Sequence, residues 1–282
     1  MGVFLGLCIA AAFGSGDFLG GRSARFAPTI SVILVVQTVA LAGAIAVVVA
    51  VSGSADGHDL LLGAGAGAAN VVGLALLYRA LATGRMGVVA PITAVVGATV
   101  PVTWGLIRGE RPGTVALAGV VLALAGAAVL ARQSDGTRST AGWRSSLWLA
   151  VAAGAGLGLS FVLFAATSHA SGFWPVLSAR MVSLALAGAA FLVMAPRQGA
   201  AAVLRGGAAW TAAGAGLCDI AANVVLLIAV RRALTVIVAP VAALAPAFTV
   251  FWASVILGER LAISQWLGLV LGLLGLVLIA IR

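Results

Sequence analysis

The residue best placed for chemistry is a single acid inside a long apolar run. Asp219 lies near the middle of the run 208–230, and Asn223 follows one helical turn later on the same face. If this run crosses a bilayer, a carboxylate near its centre costs roughly 2.5–3.5 kcal/mol on insertion scales, so it is expected to face a cavity or a partner. Asp219 is therefore predicted either to bind a proton or a substrate amine, or to be neutralised by an arginine such as Arg180.

Two further charged residues are candidates for a charge pair. Arg180 lies seven residues into the run 173–195, where it needs a carboxylate or has to extend to the headgroups. A pair with Asp219 or with Asp17 would be able to switch between conformational states. For Asp17, near the far end of the first run, we favour an interfacial ion pair with Arg22 or Arg25.

The stretch 68–81 occurs a second time at 221–234, with nine of fourteen positions identical. Asn70 is therefore the repeat counterpart of Asn223, at a spacing of 153 residues. A paired amide in each half is predicted either to hydrogen-bond a substrate from both walls of a cavity, or to join helices at about 0.6–2 kcal/mol per contact.

Prolines recur in register after a four-residue shift. Pro91 in the fourth run matches Pro240 in the ninth at a spacing of 149, and the same runs also contain Pro101 and Pro246. Proline removes a backbone donor and frees a carbonyl one turn earlier. Because both copies carry a proline at the same place, we expect kinks that gate a pathway, with simple helix bends as the alternative.

Aromatic residues in the apolar runs are predicted to line a cavity through their π faces, which suits an apolar or cationic substrate. The predicted substrate-binding set therefore adds Trp104, Phe164 and Trp252 to the polar residues Asn70, Asp219 and Asn223. No metal-ligand spacing, nucleophile triad or phosphate-binding glycine loop is recognisable, so neither a metal nor a cofactor is predicted.

Composition places the chain in the bilayer. It is 63% hydrophobic and 8% charged, with a mean hydropathy of +1.21, whereas a soluble domain would be about a quarter charged. The net charge of +9 resides in arginines of short connections, which is typical of membrane topology and not of a nucleic-acid partner. We expect a multi-pass protein of the cell (inner) membrane.

Ten apolar runs are long enough to span a bilayer. Five spans per repeat is an odd number, so the second copy is expected to insert upside down. The predicted fold is an all-α membrane protein of ten transmembrane helices in two inverted five-helix repeats, at 1–131 and 146–282, joined by a linker at 132–145. The runs are 3–21, 28–51, 60–81, 87–107, 113–131, 146–167, 173–195, 208–230, 235–257 and 263–281. Ten arginines against five on alternate connections favour both termini outside.

The repeat pattern resembles the drug/metabolite transporter superfamily, with EamA-type bacterial members most similar. The resemblance rests on the ten spans, on a proline early in the fourth and ninth spans, and on Gly109-Glu110-Arg111 and Gly258-Glu259-Arg260 after them. The stretch 16–21 at the end of the first span also looks like one in bacterial members. The resemblance implies a cavity lined mainly by spans 1, 3, 4, 6, 8 and 9, with spans 5 and 10 at the periphery.

These features predict a secondary transporter that moves a small organic solute by alternating access, with proton coupling or exchange through Asp219 if any acid is used. Two alternatives remain open. An intramembrane enzyme acting on a lipid-linked substrate would need convergent titratable groups near one interface, and a passive channel would need a continuous polar stripe. A homodimer contact through Gly268 and Gly272 is the alternative to their use in packing within the chain.

Overall fold

The computed structural model describes residues 1–51, 53–83, 86–111, 113–132, 143–198, 204, 206–257 and 263–280. Every regular element in these residues is a helix, because the alanine, valine, leucine and glycine runs satisfy their backbone polar groups internally. The helices are α1 (Gly2–Ala24), α2 (Thr29–Ala50), α3 (Gly57–Thr83), α4 (Met86–Ile107), α5 (Thr114–Arg132), α6 (Trp143–Ala165), α7 (Trp174–Gln198), α8 (Gly206–Arg232), α9 (Thr235–Ala242), α10 (Ala245–Leu257) and α11 (Ile263–Ala280).

Six of these helices, α1, α2, α3, α6, α7 and α8, are long and apolar enough to cross a membrane by length and composition. Shorter apolar helical segments lie at 92–107 and 247–257. The protein is therefore an all-helical, multi-pass membrane protein. Most of the predicted linker, residues 133–142, lies outside the described part of the chain, as do Gly258, Glu259 and Arg260.

The ninth predicted run, 235–257, is divided in two. Helix α9 ends at Ala242, and α10 begins at Ala245. At the break, the Leu244 N–H donates to the Val241 carbonyl at 3.1 Å in a tighter turn. Pro246 has no N–H, so the Ala242 carbonyl lacks the donor that a continuous helix would supply. In contrast, α4 is continuous although it contains Pro91 and Pro101.

Many of the helix contacts join the first half of the chain to the second. Helix α1 packs against α8, and α6 packs against α3. Helix α2 contacts α7 and α8, whereas α7 contacts α2 and α3. Helix α4 packs against α6, while α9 and α10 pack against α1. Every one of these contacts has a counterpart with the halves exchanged.

Helices α5 and α11 pack closely against each other. A Cβ added at Gly126 would lie 2.6 Å from the Gly272 nitrogen and 2.7 Å from the Gly268 oxygen, so the two backbones touch there. The small-residue pair Gly268 and Gly272 is thus used inside one chain. This is the first of the two predicted uses of these glycines, packing within the chain.

Candidate functional site

A cavity lies between the two halves, with about 940 Å³ of empty space when the space open to solvent is included. Helices α1, α3 and α4 line it from the first half, and α6, α8, α9 and the start of α10 line it from the second. These are the spans from which the resemblance implied a cavity would be built. The polar lining residues are Asp17, Asn70, Tyr78, Thr93, Ser160, Asp219 and Asn223.

Asp219 is 5% exposed and is paired with a buried arginine. Arg180, on α7, is fully buried, and its Nη1 donates to Asp219 Oδ2 at 2.5 Å. The same nitrogen donates to Gln37 Oε1 at 3.0 Å and approaches Asn70 Oδ1 at 3.5 Å. Asp219 was predicted either to bind a proton or a substrate amine, or to be neutralised by an arginine. The structure shows the arginine pair.

The two repeat-related asparagines have different partners. Asn223 Nδ2 donates to the Asp219 backbone oxygen at 2.8 Å and to Asp219 Oδ1 at 3.1 Å. Asn70 approaches Arg180 only through its side-chain oxygen. Both asparagines line the cavity, so each has one side towards the charged pair and one towards the open space.

Arg180 has more donors than the described residues accept. Its Nε and Nη2, and Nε2 of Gln37, are buried without a hydrogen-bond partner among those residues. A buried donor that has no hydrogen-bond acceptor destabilises the folded state by about 1–3 kcal/mol. The guanidinium is therefore able to take a further acceptor, or to exchange one acceptor for another, without losing Asp219.

Asp17 differs from its predicted environment. It lines the cavity, and within the described residues none of the hydrogen bonds or ion pairs involves it. The predicted interfacial pair with Arg22 or Arg25 is therefore absent from the described contacts, as is a pair with Arg180. The cause is the position of α1, which packs along α8 and so turns Asp17 towards the space beside Asp219.

The family match adds to this geometry. The model of the EamA-like transporter family matches residues 144–281. This part of the chain is similar to the EamA-like transporter family. The predicted resemblance to EamA-type transporters is thereby confirmed.

A solved structure is similar in fold to nearly the whole chain. It is a crystal structure of a protein that aligns with a TM-score of 0.74 and 19% identity, over 98% of this chain and 95% of the other. At this identity the likeness shows the fold alone. No curated protein matches the sequence significantly.

The three predicted aromatic ligands are not among the described residues that line the cavity. Phe164 is 1% exposed and belongs to the apolar core. Trp252 Nε1 donates to Ser15 Oγ at 2.9 Å, which joins α10 to α1. Trp104 stacks with Arg108, whose guanidinium lies 5.5 Å from the ring centroid. None of the three is among the residues that line the cavity.

Of the predicted kink residues, Pro101 lines the cavity on α4. Pro91 lies in α4, Pro240 in α9 and Pro246 in the first turn of α10. The side chains of these last three are outside the described part of the structure. The break in the ninth span leaves Ala242, Ala243 and Ala245 against the cavity.

Sequence reasoning missed several lining residues that the repeat register would have found. Thr93 and Ala94 on α4 line the cavity, and so do Ala242 and Ala243, which lie 149 residues later. Pro91 and Pro240 are also 149 residues apart. The same repeat register therefore relates the cavity-lining residues of α4 to those at the end of α9. Phe13 and Ser160 have no such signal, because they stand on helices for which we found no repeat register.

Gly109 and Glu110 end α4 and connect it to the other half. Gly109 has φ +86°, and the Glu110 N–H donates to the Gly105 carbonyl at 3.0 Å, which forms a Schellman motif. Glu110 Oε2 then accepts the Val236 N–H at 2.8 Å and so caps α9 from outside that helix. Gly109 and Glu110 therefore both end α4 and connect it to the second half of the chain.

A second polar contact joins the halves near the start of α3. Asp59 accepts hydrogen bonds from the hydroxyls of Ser168 and Ser171, and from the Ser168 N–H at 3.1 Å. Arg231 Nη2 donates to the Ser168 carbonyl at 2.7 Å. Asp59 also lies with Asp56 and His58 in a group whose potential ligand atoms are within 4.8 Å of one another. Because Asp59 is occupied by the serines, we assign no metal to it.

Proposed function

We propose that this protein is a secondary transporter that moves a small organic solute through the cavity between its halves by alternating access. The observation that carries the proposal is the cavity itself, lined by both halves and containing convergent polar groups at the depth of the helix centres. The EamA-like transporter domain at 144–281 supports the same class. We place the protein in the cell (inner) membrane.

We propose ten spans in two inverted five-helix repeats, with α9 and α10 together forming one span. Helix contacts that exchange between the halves, α1 with α8 and α6 with α3, support a two-fold relation. Sequence repeats at spacings of 153 and 149 residues support it independently. The unit boundaries remain those predicted, 1–131 and 146–282 with a linker at 132–145.

We propose that this conformation is closed on the side of the chain termini. The Asp59 contacts with Ser168 and Ser171, and the Glu110 cap on Val236, connect opposite halves at helix ends that lie on one side if every span crosses. Polar contacts of this kind break and re-form at low cost in water, which suits a gate. On the opposite side, the cavity extends to Tyr78 near the end of α3 and to Ala90 near the start of α4, which suits an opening there.

We propose Arg180 and Asp219 as the coupling pair. The single contact through Nη1 leaves two donors of Arg180 able to take another acceptor, so the pair can rearrange as the halves move. If protons drive transport, they act through Asp219. Replacing Asp219 by Asn tests this, because transport driven by a proton gradient should be lost while exchange between two pools of the solute persists.

The test of the transport function is uptake into proteoliposomes from a panel of amino acids, sugars, nucleotides and amines. Ala94→Trp should abolish uptake, because a bulky ring at this lining position would fill the cavity. Val121→Trp is the control, since Val121 is 64% exposed on the outer face of α5. Uptake that Ala94→Trp leaves unchanged would remove the cavity from the pathway.

The same assay separates the alternatives. A channel would give flux without saturation and without acceleration by solute on the opposite side. An enzyme acting on a lipid-linked substrate would alter the lipid and would not accumulate solute. The cavity has isolated polar points between apolar walls and no continuous polar stripe among the described lining residues, which favours occlusion over a channel.

A further inference from the structure

The described lining of the cavity includes acidic side chains and no basic ones. Two of the residues that line it, Asp17 and Asp219, are acidic, and no arginine or histidine is among the described lining residues. The chain has no lysine. A ligand in this space therefore meets carboxylates, carboxamides and hydroxyls, and no cation.

The charge of Asp219 is already compensated. Arg180 donates to one of its oxygens and Asn223 donates to the other. Asp17 has no such partner within the described residues. Asp17 is therefore the cavity acid that has no cation beside it among the described residues.

An ionised Asp17 would be costly in this apolar enclosure, because a desolvated ion needs either a counter-ion or several hydrogen bonds. The residues that line the cavity near Asp17 offer its carboxyl group few hydrogen-bond donors. Tyr78 offers one hydroxyl from α3, while Gly16 and Phe13 on α1 itself offer none. A ligand with a positive charge would complete the site, whereas an anionic ligand would add to the imbalance.

The walls define the rest of the ligand. Phe13 on α1 and Phe161 on α6 line the cavity, together with leucines 74, 77, 157 and 226. Aromatic faces attract an ammonium group, and the leucines favour an apolar body. Few hydroxyl or amide groups are present to replace the hydration of a sugar or nucleotide.

We propose that Asp17 binds the ammonium group of a small apolar amine, whose apolar body lies against Phe13, Phe161 and the leucines. This inference rests on the proposed transport function and names its substrate class. It assigns the ligand-binding acid to Asp17 and leaves Asp219 to its pair with Arg180. A sugar, a nucleotide or a phosphorylated metabolite is not the substrate under this proposal.

The test is binding of three ligands with the same phenyl group to the purified full-length protein in detergent, at fixed pH, by calorimetry. The ligands are 2-phenylethylamine, 2-phenylethanol and 3-phenylpropanoate. The amine should bind at least about tenfold more tightly than the alcohol, because a hydrogen bond between an ammonium group and a carboxylate is stronger than one between neutral groups. The carboxylate should bind most weakly of the three.

Asp17→Asn should remove the preference for the amine over the alcohol, and Asp17→Glu should retain part of it. Asp56→Asn is the matched control, because it makes the same chemical change at an exposed acid outside the cavity. Thermal unfolding of each variant checks that it is folded. Asp17→Asn keeps the shape of the side chain and breaks no hydrogen bond or ion pair among the described residues, so its folding should not suffer.

Equal affinity of wild type and Asp17→Asn for the amine would overturn the proposal, as would tighter binding of 3-phenylpropanoate than of the amine. Its failure is separable from failure of the transport function. Saturable uptake of a sugar or an anion in proteoliposomes, with no amine binding, would refute the substrate class and leave the transporter intact. Absence of uptake for every solute class, despite amine binding at Asp17, would refute transport alone.

Discussion

Replacing Arg180 and Asp219 together should destabilise the protein far less than the sum of the losses caused by Arg180→Met and Asp219→Asn separately. The side chain of Arg180 is 1% exposed and that of Asp219 is 6% exposed. Removing one partner leaves a buried charge of the other sign uncompensated, which costs about 3–5 kcal/mol. Arg180→Met and Asp219→Asn should each show a loss of this size.

The double variant should cost at most about 3 kcal/mol, against the roughly 6–10 kcal/mol expected from two independent losses. Its residual cost comes mainly from Gln37, whose oxygen loses the Arg180 donor at about 1–3 kcal/mol. The Asn70 oxygen adds little, because it lies 3.5 Å from that donor and borders the cavity. Asn at 219 still accepts from Asn223, so that bond survives. The expected coupling energy is therefore several kcal/mol.

The assay is reversible unfolding of the purified variants in mixed micelles, followed by near-UV circular dichroism and tryptophan fluorescence. Coincidence of the two probes establishes a two-state transition. If a single variant fails to accumulate in the membrane, recovery of expression in the double variant reports the same coupling. Additivity of the two single losses within about 0.5 kcal/mol would refute the pairing.

Three further predictions concern packing and helix ends. Gly126→Ala should destabilise the protein by about 1–3 kcal/mol, because its methyl group would overlap the backbone of α11. Glu110→Ala should cost about 1–2 kcal/mol and speed hydrogen exchange in the first turn of α9, while Glu110→Gln should retain part of the cap because its amide oxygen still accepts. Gly109→Ala should cost about 1–2 kcal/mol, because φ is +86° there.

Thermal unfolding measures all three, with controls from the same chain. Gly188→Ala is the control for Gly126, since an added Cβ at 188 meets nothing within 4 Å, and it should be neutral or stabilising. Gly113→Ala is the control for Gly109→Ala, because an added Cβ at 113 also meets nothing within 4 Å. Equal effects within either glycine pair would contradict the packing or the backbone argument. Unchanged exchange in α9 of Glu110→Ala would contradict the cap.

The helices were accessible to prediction because each depends on local composition. The described helices follow the ten apolar runs to within a few residues, except that the run 235–257 contains two. That break follows from Pro246, which has no partner at the equivalent position 97 of the first copy, where Gly97 stands. Pro101 does not break α4, so the presence of a proline alone did not decide where a helix ends.

The candidate site was predicted only in part, because distance along the chain does not reveal contacts between helices. Asn70, Asp219 and Asn223 were found from polarity inside apolar runs, and all three line the cavity. Trp104, Phe164 and Trp252 were chosen by residue type, and helix rotation places them elsewhere. An aromatic residue fits a core, an interface or a cavity equally well, whereas a buried acid has few stable environments.

By itself the sequence determined that the protein is helical, that it lies in a membrane and that a stretch of its first half recurs in its second, since these depend on hydropathy, segment length and internal similarity. Only the tertiary structure decided which charges meet. Arg180 reaches Asp219 because α7 and α8 both pack on α2, and Asp17 is left with the cavity because α1 follows α8. Electrostatic partners are set by the rotation and packing of helices from distant parts of the chain, and hydropathy is largely insensitive to both.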